Sequence, residues 1–248
     1  MNDFILKSLL NDNDIDVYCL GETDSTNNFA AEKARAGEEC IVTADRQTRG
    51  KGRRGRSFIS EEGGLYLSLS TKLPGRPCEI MHYPILAALA VSNAIESVCE
   101  AKADIKWPND ILINGKKVCG ILTELTGEND ECFLVTGIGV NITNEIPESL
   151  SDAGTLKGLT GTEPEREVLA AAISNQLISI YRKGIANRDE LLENVSERCI
   201  SIGKRVKALS TGVTGRAKGL GPDGSLIVEL PGGATEHIIF GDVTIQKD

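Results

Sequence analysis

Histidine is almost missing from this chain, with only His82 and His237 among 248 residues. The seven cysteines are scattered singly, with no Cys-x-x-Cys pair. Together these shortages argue against a structural zinc site, and leave open a hard cation held by carboxylates and phosphates. The cysteine spacing also excludes a disulfide framework, and lone thiols of this kind fit a reducing cytoplasm. Aromatic residues make up 4% of the chain, and none is interleaved with its densest basic segment, as stacking on nucleic-acid bases would require. Long apolar runs are missing too. The longest, around residues 85–91, falls far short of the roughly 20 residues that span a bilayer. The start, Met1-Asn2-Asp3-Phe4, has neither the basic nor the apolar part of a secretory signal, so the expected location is the cytoplasm.

What the chain does hold is a knot of positive charge. Six of its 27 basic residues fall between Arg46 and Arg56, in a protein of formal net charge −9. The centre of the segment reads Gly50-Lys51-Gly52-Arg53-Arg54-Gly55-Arg56. Cations packed this densely repel one another unless an anion sits among them. The interleaved glycines free the backbone to turn N–H groups toward a ligand. Such a loop suits closure over a phosphate or carboxylate, and is expected to be mobile when empty. A solvated basic surface is the plain alternative. A nucleic-acid patch is disfavoured by a pI near 4.9, which gives no long-range attraction to a polyanion. The spacing Gly50-x-Gly52-x-x-Gly55 also matches a dinucleotide-binding turn, which needs a helix directly after it. Residues 57–64 and then a strand-like 65–70 follow instead, so that reading fails. The Val-Ala-Ile-Lys, His-Arg-Asp and Asp-Phe-Gly segments of a kinase are absent as well.

Alternation and turn residues lay out an α+β chain. Residues 17–21 read as a strand, and Thr23-Asp24-Ser25-Thr26 opens a helix that Gly37 stops. Strands are expected at 40–45 and 65–71, and a long apolar helix at 83–100. Asn114-Gly115 is a strong hairpin signal between strands at 111–113 and 118–125. A strand at 132–142 and helices at 165–183 and 188–199 follow. After Gly203 come short strands at 205–209, 214–219, 225–230 and 236–240, separated by Gly/Pro turns, which suggests a small β-barrel. A boundary is expected near residue 201, dividing 1–200 from 201–248.

Four segments now carry a resemblance. They are Thr23-Asp24-Ser25-Thr26-Asn27; Gln47 with the basic loop; Lys106-Trp107-Pro108-Asn109-Asp110 through Lys117-Val118-Cys119-Gly120-Ile121-Leu122; and Gly137-Ile138-Gly139-Val140-Asn141. In order and spacing they resemble the biotin–protein ligase family, over nearly the whole chain. The resemblance implies an α+β fold related to class II aminoacyl-tRNA synthetases, with a mixed sheet flanked by helices and a small C-terminal SH3-like β-barrel. It also implies a two-step reaction. Biotin carboxylate attacks the α-phosphate of ATP, giving biotinyl-AMP and pyrophosphate. A lysine of a biotin carboxyl carrier protein domain then displaces AMP. Bringing a carboxylate to a triphosphate demands fixed cations and Mg²⁺, whatever the family.

Residue by residue, the resemblance makes Ser25, Thr26 and Asn27 contacts of the biotin ureido group, with Ser25 also serving as a helix N-cap. Gln47 becomes a ring-side contact, and Gly50, Lys51 and Gly52 belong to the biotin loop. Arg53 is expected to grip the biotin carboxylate and the adenylate phosphate with its forked donors. Lys117, just past the hairpin turn, should reach the same phosphate, so these two are the expected catalytic residues. Arg54, Phe58, Asn109, Asp110 and Asn141 fall to the nucleotide, Asp110 also meeting its Mg²⁺. Gly137 and Gly139 would let the sheet backbone approach the biotin tail, with bulge glycines as the plain alternative. Trp107 is given no direct role. Lys51 stands where the family usually has Arg, and Phe58 where it usually has Trp. Phe can still stack, so weaker nucleotide contact is expected.

The nearest alternative is a lipoate- or octanoyl-transferring enzyme of the same fold, but nothing here resembles its Arg-Arg-x-Ser-Gly-Gly-Gly stretch. A non-catalytic biotin sensor would not need Arg53 and Lys117. About fourteen residues precede Ile15, too few for a DNA-binding winged helix, so a ligase without operator binding is expected. Homodimerisation is a further implication of the resemblance.

Overall fold

The computed structural model describes residues 1–73, 82–128, 131–183 and 187–246. A seven-stranded sheet forms its larger part. The strands are β1 (Asp16–Thr23), β2 (Cys40–Gln47), β3 (Leu65–Lys72), β4 (Asp104–Lys106), β5 (Asp110–Ile113), β6 (Lys116–Glu128) and β7 (Glu131–Val140). Their order is β1-β2-β3-β7-β6-β5-β4. β1 and β2 run parallel, on either side of α2 (Thr26–Arg35) in the chain, and the other neighbours are antiparallel. The mixed sheet and flanking helices make this the α+β fold expected.

The alternation of β3 sorts the two faces. Leu65, Leu67 and Leu69 enter the large core with Ile121 of β6 and Ile138 and Val140 of β7, under α3 (Tyr83–Cys99) and α5 (Arg166–Lys183). Each such leucine contributes about 1.5–3 kcal/mol by leaving water. Ser68 and Ser70 face the other way, Ser68 bonded to Thr26 of α2 and Ser70 to the Glu38 carbonyl just beyond it, while Ala30 and Ala34 of α2 pack on Cys40, Val42, Phe133 and Val135. One sheet face is therefore greasy and closed. The other carries polar groups and glycines, and the site lies on it.

The β5–β6 hairpin turns through Asn114 (φ 50°) and Gly115 (φ 75°), the left-handed pair that a tight two-residue turn needs. α3 stops at Cys99 because Glu100 takes a left-handed cap conformation, one residue short of the expected end. Short elements escaped the sequence reading: α1 (Asp3–Leu9), β4, α4 (Leu156–Thr160) and, near the C-terminus, β12. α6 (Arg188–Arg198) leads into the second sheet.

That sheet is antiparallel and five-stranded: β8 (Arg205–Ala208), β9 (Thr214–Leu220), β10 (Leu226–Glu229), β11 (Thr235–Ile238) and β12 (Val243–Ile245), ordered β11-β10-β9-β8-β12. Its inward residues Val206, Ala217, Val228 and Ile238 belong to the same buried cluster as Leu86 and Ile105. Hydrogen bonds stitch the junction, with Trp107 N–H donating to Ser201 Oγ (3.2 Å) and its indole N–H to the Gly224 carbonyl (3.0 Å). All six described cysteines are free thiols; Cys78 lies outside the described residues. Among the described residues no helix is long and apolar enough to cross a membrane.

Candidate active site

The chain leaves β1 and enters α2 through Ser25, whose extended backbone (φ −159°, ψ 131°) is that of an N-cap. Ser25 thus holds the expected N-cap position, although its side chain makes no capping bond. A buried polar network starts next to it. Thr26 donates through both its N–H (2.8 Å) and its hydroxyl (3.0 Å) to Gln47 Oε1, and Gln47 Nε2 donates to Ser60 Oγ (2.8 Å). Ser68 Oγ lies 2.8 Å from Thr26 Oγ1 and 2.7 Å from Asn27 Oδ1, and Asn27 Nδ2 donates to Glu124 Oε2 (2.8 Å). Ser25, Thr26 and Asn27 are all buried. Such a network fixes its members' rotamers, because breaking one bond strands a buried polar group.

The glycines of β6 and β7 make room for this network. Gly137 pairs with Ser68 across the sheet, and Gly139 lies between Tyr66 and Gly120. A Cβ at Gly137 would overlap Asn27 Oδ1, and one at Gly139 would overlap the Phe58 ring. At Gly120 a Cβ would stand 3.2 Å from both Phe58 Cε2 and Lys117 Nζ. Asn27 and Phe58 fill the space a Cβ would take, and both Gly137 and Gly139 still face the cavity. Gly120 lay within the third resembling segment without being given a role.

The basic loop takes a defined shape. Gln47 N–H bonds the Ser60 carbonyl (3.0 Å), Phe58 N–H the Gly50 carbonyl (2.9 Å) and Gly52 N–H the Arg56 carbonyl (2.7 Å), which makes a narrow finger. A 3₁₀ turn at Arg53–Gly55 forms its tip, with Arg54 (φ 59°) and Gly55 (φ 73°) left-handed. Arg53 Nη1 donates to Asn109 Oδ1 (3.0 Å) and Asp242 Oδ1 (3.1 Å), and Arg56 Nη2 pairs with Asp242 Oδ2. Burial lowers the Arg53 pKa against the opposing pull of Asp242 and Asp110, yet a guanidinium stays charged.

Lys117 sits at the start of β6, its backbone N–H bonded to the Asp152 carbonyl (2.8 Å) and its Nζ 2.6 Å from Asp110 Oδ1. Buried Asn109 ties Arg53 to β6, accepting from Arg53 and donating to the Ile121 carbonyl at 2.7 Å.

These groups surround one cavity of about 480 Å³. Ser25, Thr26, Asn27 and Gln47 line one part; Lys51, Gly52, Arg53 and Phe58 of the finger another. Asn109, Asp110, Lys117, Gly137, Gly139 and Asn141 complete the set expected from sequence. Two expected contacts stand off the wall. Gly50 is packed beneath the finger, where a Cβ would overlap the Phe58 carbonyl, and Arg54 is exposed at its tip. Trp107, given no role, does reach the wall, and so do Val243 and Thr244 of β12 in the second sheet and the flanking Leu209 and Asp242. No sequence signal ties that sheet to the basic loop.

Two cationic arms from separate supports, set against a buried hydrogen-bonding network in one cavity, suit an organic anion alongside a phosphate. Known proteins make the class specific. Residues 20–141 match the Biotin/lipoate A/B protein ligase family, and residues 201–245 the Biotin protein ligase C terminal domain. The chain is 32% identical over 231 residues to the biotin–[acetyl-CoA-carboxylase] ligase of Paracoccus denitrificans, covering 86% of this chain and 94% of that protein. It is 35% identical over 223 residues to the bifunctional ligase/repressor BirA of Bacillus spizizenii, covering 84% and 68% respectively. The Aquifex aeolicus biotin protein ligase, solved in complex with biotin and ATP, superposes with a TM-score of 0.78 at 32% identity, covering 94% of this chain and 99% of that one. The chain belongs to the biotin protein ligase family.

Proposed function

We propose that this protein is a biotin–[biotin carboxyl carrier protein] ligase, which forms biotinyl-5′-AMP from biotin and ATP and passes the biotinyl group to a carrier lysine. The carrying observation is the two-ended cavity. The Thr26–Gln47–Asn27 network suits a neutral ureido head, while Arg53 and Lys117 suit a carboxylate and a phosphate. In the first step a carboxylate oxygen attacks the α-phosphorus and the bond to pyrophosphate breaks. Negative charge crowds the reacting oxygens as it does so. Lys117 and Arg53 offset that charge without having to reorganise at the moment of reaction. In the second step the acceptor amine attacks the acyl carbon, AMP leaves, and the amine proton is lost.

Mg²⁺ would neutralise the nucleotide phosphates. Among the described residues no three metal-ligating side chains gather, and Asp110 offers a single carboxylate beside Lys117, a donor set that fits a cation carried in by ATP. The proposal extends to a cytoplasmic enzyme, to homodimerisation, to no specific DNA partner, and to residues 1–200 as the ligase domain with 201–248 as an SH3-like barrel.

Biotin-dependent exchange of labelled pyrophosphate into ATP tests the first step without an acceptor. Exchange is expected with biotin and not with lipoate. Exchange with lipoate alone would overturn the substrate assignment, and binding to a specific operator DNA would overturn the absence of a DNA partner.

A further inference from the structure

The two arginines that face the cavity already share one carboxylate. Asp242 stands between two guanidiniums, accepting from Arg53 Nη1 (3.1 Å) through Oδ1 and from Arg56 through Oδ2. It reaches this place from the turn before β12. There Gly241 takes φ 108°, a conformation that side chains rarely allow, and the Leu209 N–H bonds the Asp242 carbonyl at 2.9 Å. The Asp242 and Arg53 side chains are only 17% and 20% exposed, so the pair is better shielded than an open surface bridge.

Asp242 does two things at once. It lets Arg53 and Arg56 share one rim despite their mutual repulsion, and it ties the basic finger to the second sheet. An incoming carboxylate or phosphate that takes Arg53 would meet the like charge of Asp242 across the same guanidinium. Both Nη1 hydrogens are taken, by Asn109 and Asp242, so an anion that grips Arg53 end-on through Nη1 and Nη2 takes the place of Asp242.

We propose that Asp242 is a resident counter-anion: an ionic latch between barrel and basic finger, displaced from Arg53 when the anionic end of the substrate binds. This rests on the reading of Arg53 as the grip for the biotin carboxylate. Binding an anion then exchanges one ion pair for another, so its net gain is smaller than Arg53 alone would give. A neutral ligand leaves the latch shut.

Calorimetric affinities for biotin and for biotinol, in which an alcohol replaces the carboxylate, test this. Asp242→Asn should tighten biotin about fivefold and leave biotinol unchanged, and Asp242→Glu should keep the wild-type ratio. In the wild type, exchange of ion pairs makes the biotin-to-biotinol ratio nearly constant from about 50 to about 500 mM KCl. A ratio unchanged or lowered in Asp242→Asn overturns the latch. Should that variant lose both ligands, the wild-type salt series decides, and a ratio that falls steeply with salt overturns it. Wild-type protein that binds neither ligand overturns the proposed function, and the latch with it.

Discussion

Lys117 and Arg53 are both cations of one cavity, but they are held by different means. The Lys117 backbone is tied on both sides, its N–H to the Asp152 carbonyl and its carbonyl to the Gly154 N–H (2.9 Å), directly after a tight turn. Arg53 sits on the tip of a finger and depends on Asn109 and Asp242 for its position. Lys117→Ala should therefore lower biotin-dependent pyrophosphate exchange by ~10²–10³, the usual cost of a lost transition-state contact. Arg53→Gly should still form some adenylate but release it early, detected as biotin on the lysines of bystander proteins. Near-normal exchange in Lys117→Ala, together with no leakage from Arg53→Gly, would remove this division of labour. Both residues were legible because short-range motifs carry them. Asp242 was not. It lies 186 positions from Arg56, and an Asp after a Gly near a chain end looks like any turn residue. The sequence offered a cluster of repelling cations and no hint of the carboxylate among them.

At the scale of elements, long periodic segments could be read to within a residue or two, α3 and β3 among them, because many side chains vote on one period. The three-residue strands β4 and β12 have no period to read, and pairing with β5 and β8 is what makes them strands. The shape of the basic finger was out of reach for a related reason. Its glycines promise mobility locally, whereas the bonds that fold it, Gly52 to Arg56 and Phe58 to Gly50, depend on how the two arms meet. The β6–β7 ladder gives a direct test of what its glycines are for. Gly137→Ala would drive Asn27 Oδ1 out of place, and Asn27 cannot yield without releasing Glu124 or Ser68. The expected cost is about 1–3 kcal/mol of stability with a clear loss of biotin affinity, measured by denaturant midpoint and calorimetry. Gly21→Ala on β1, where a Cβ meets nothing within 4 Å, is the control and should stay within about 0.5 kcal/mol. Equal effects at the two sites would mean that backbone freedom, not Asn27, explains Gly137.

Over the whole molecule, the change of texture after Gly203 suggested a small barrel beyond a boundary near residue 201, and burial runs straight across that junction. Val206, Ala217 and Val228 share one buried cluster with α3 and β4, while Trp107 is bonded to Ser201 and Gly224. A barrel that borrows its core from its neighbour has little apolar surface of its own to hide, and this one is under 50 residues, a size at which independent folding is marginal. The two sheets should therefore unfold together. Trp107 makes this measurable, since it is the only tryptophan and it lies at the junction. Val228→Ala, a deletion deep in the second sheet, should cost about 2 kcal/mol and lower the midpoint of the entire transition. Tryptophan fluorescence and far-UV circular dichroism should fall on one curve, in the variant as in the wild type. Biotin with ATP should raise that single midpoint, because ligands bound to the folded form stabilise everything that unfolds with it. Two separated transitions, with the ligands raising only one of them, would establish a barrel that folds by itself and would leave the continuous core without thermodynamic meaning.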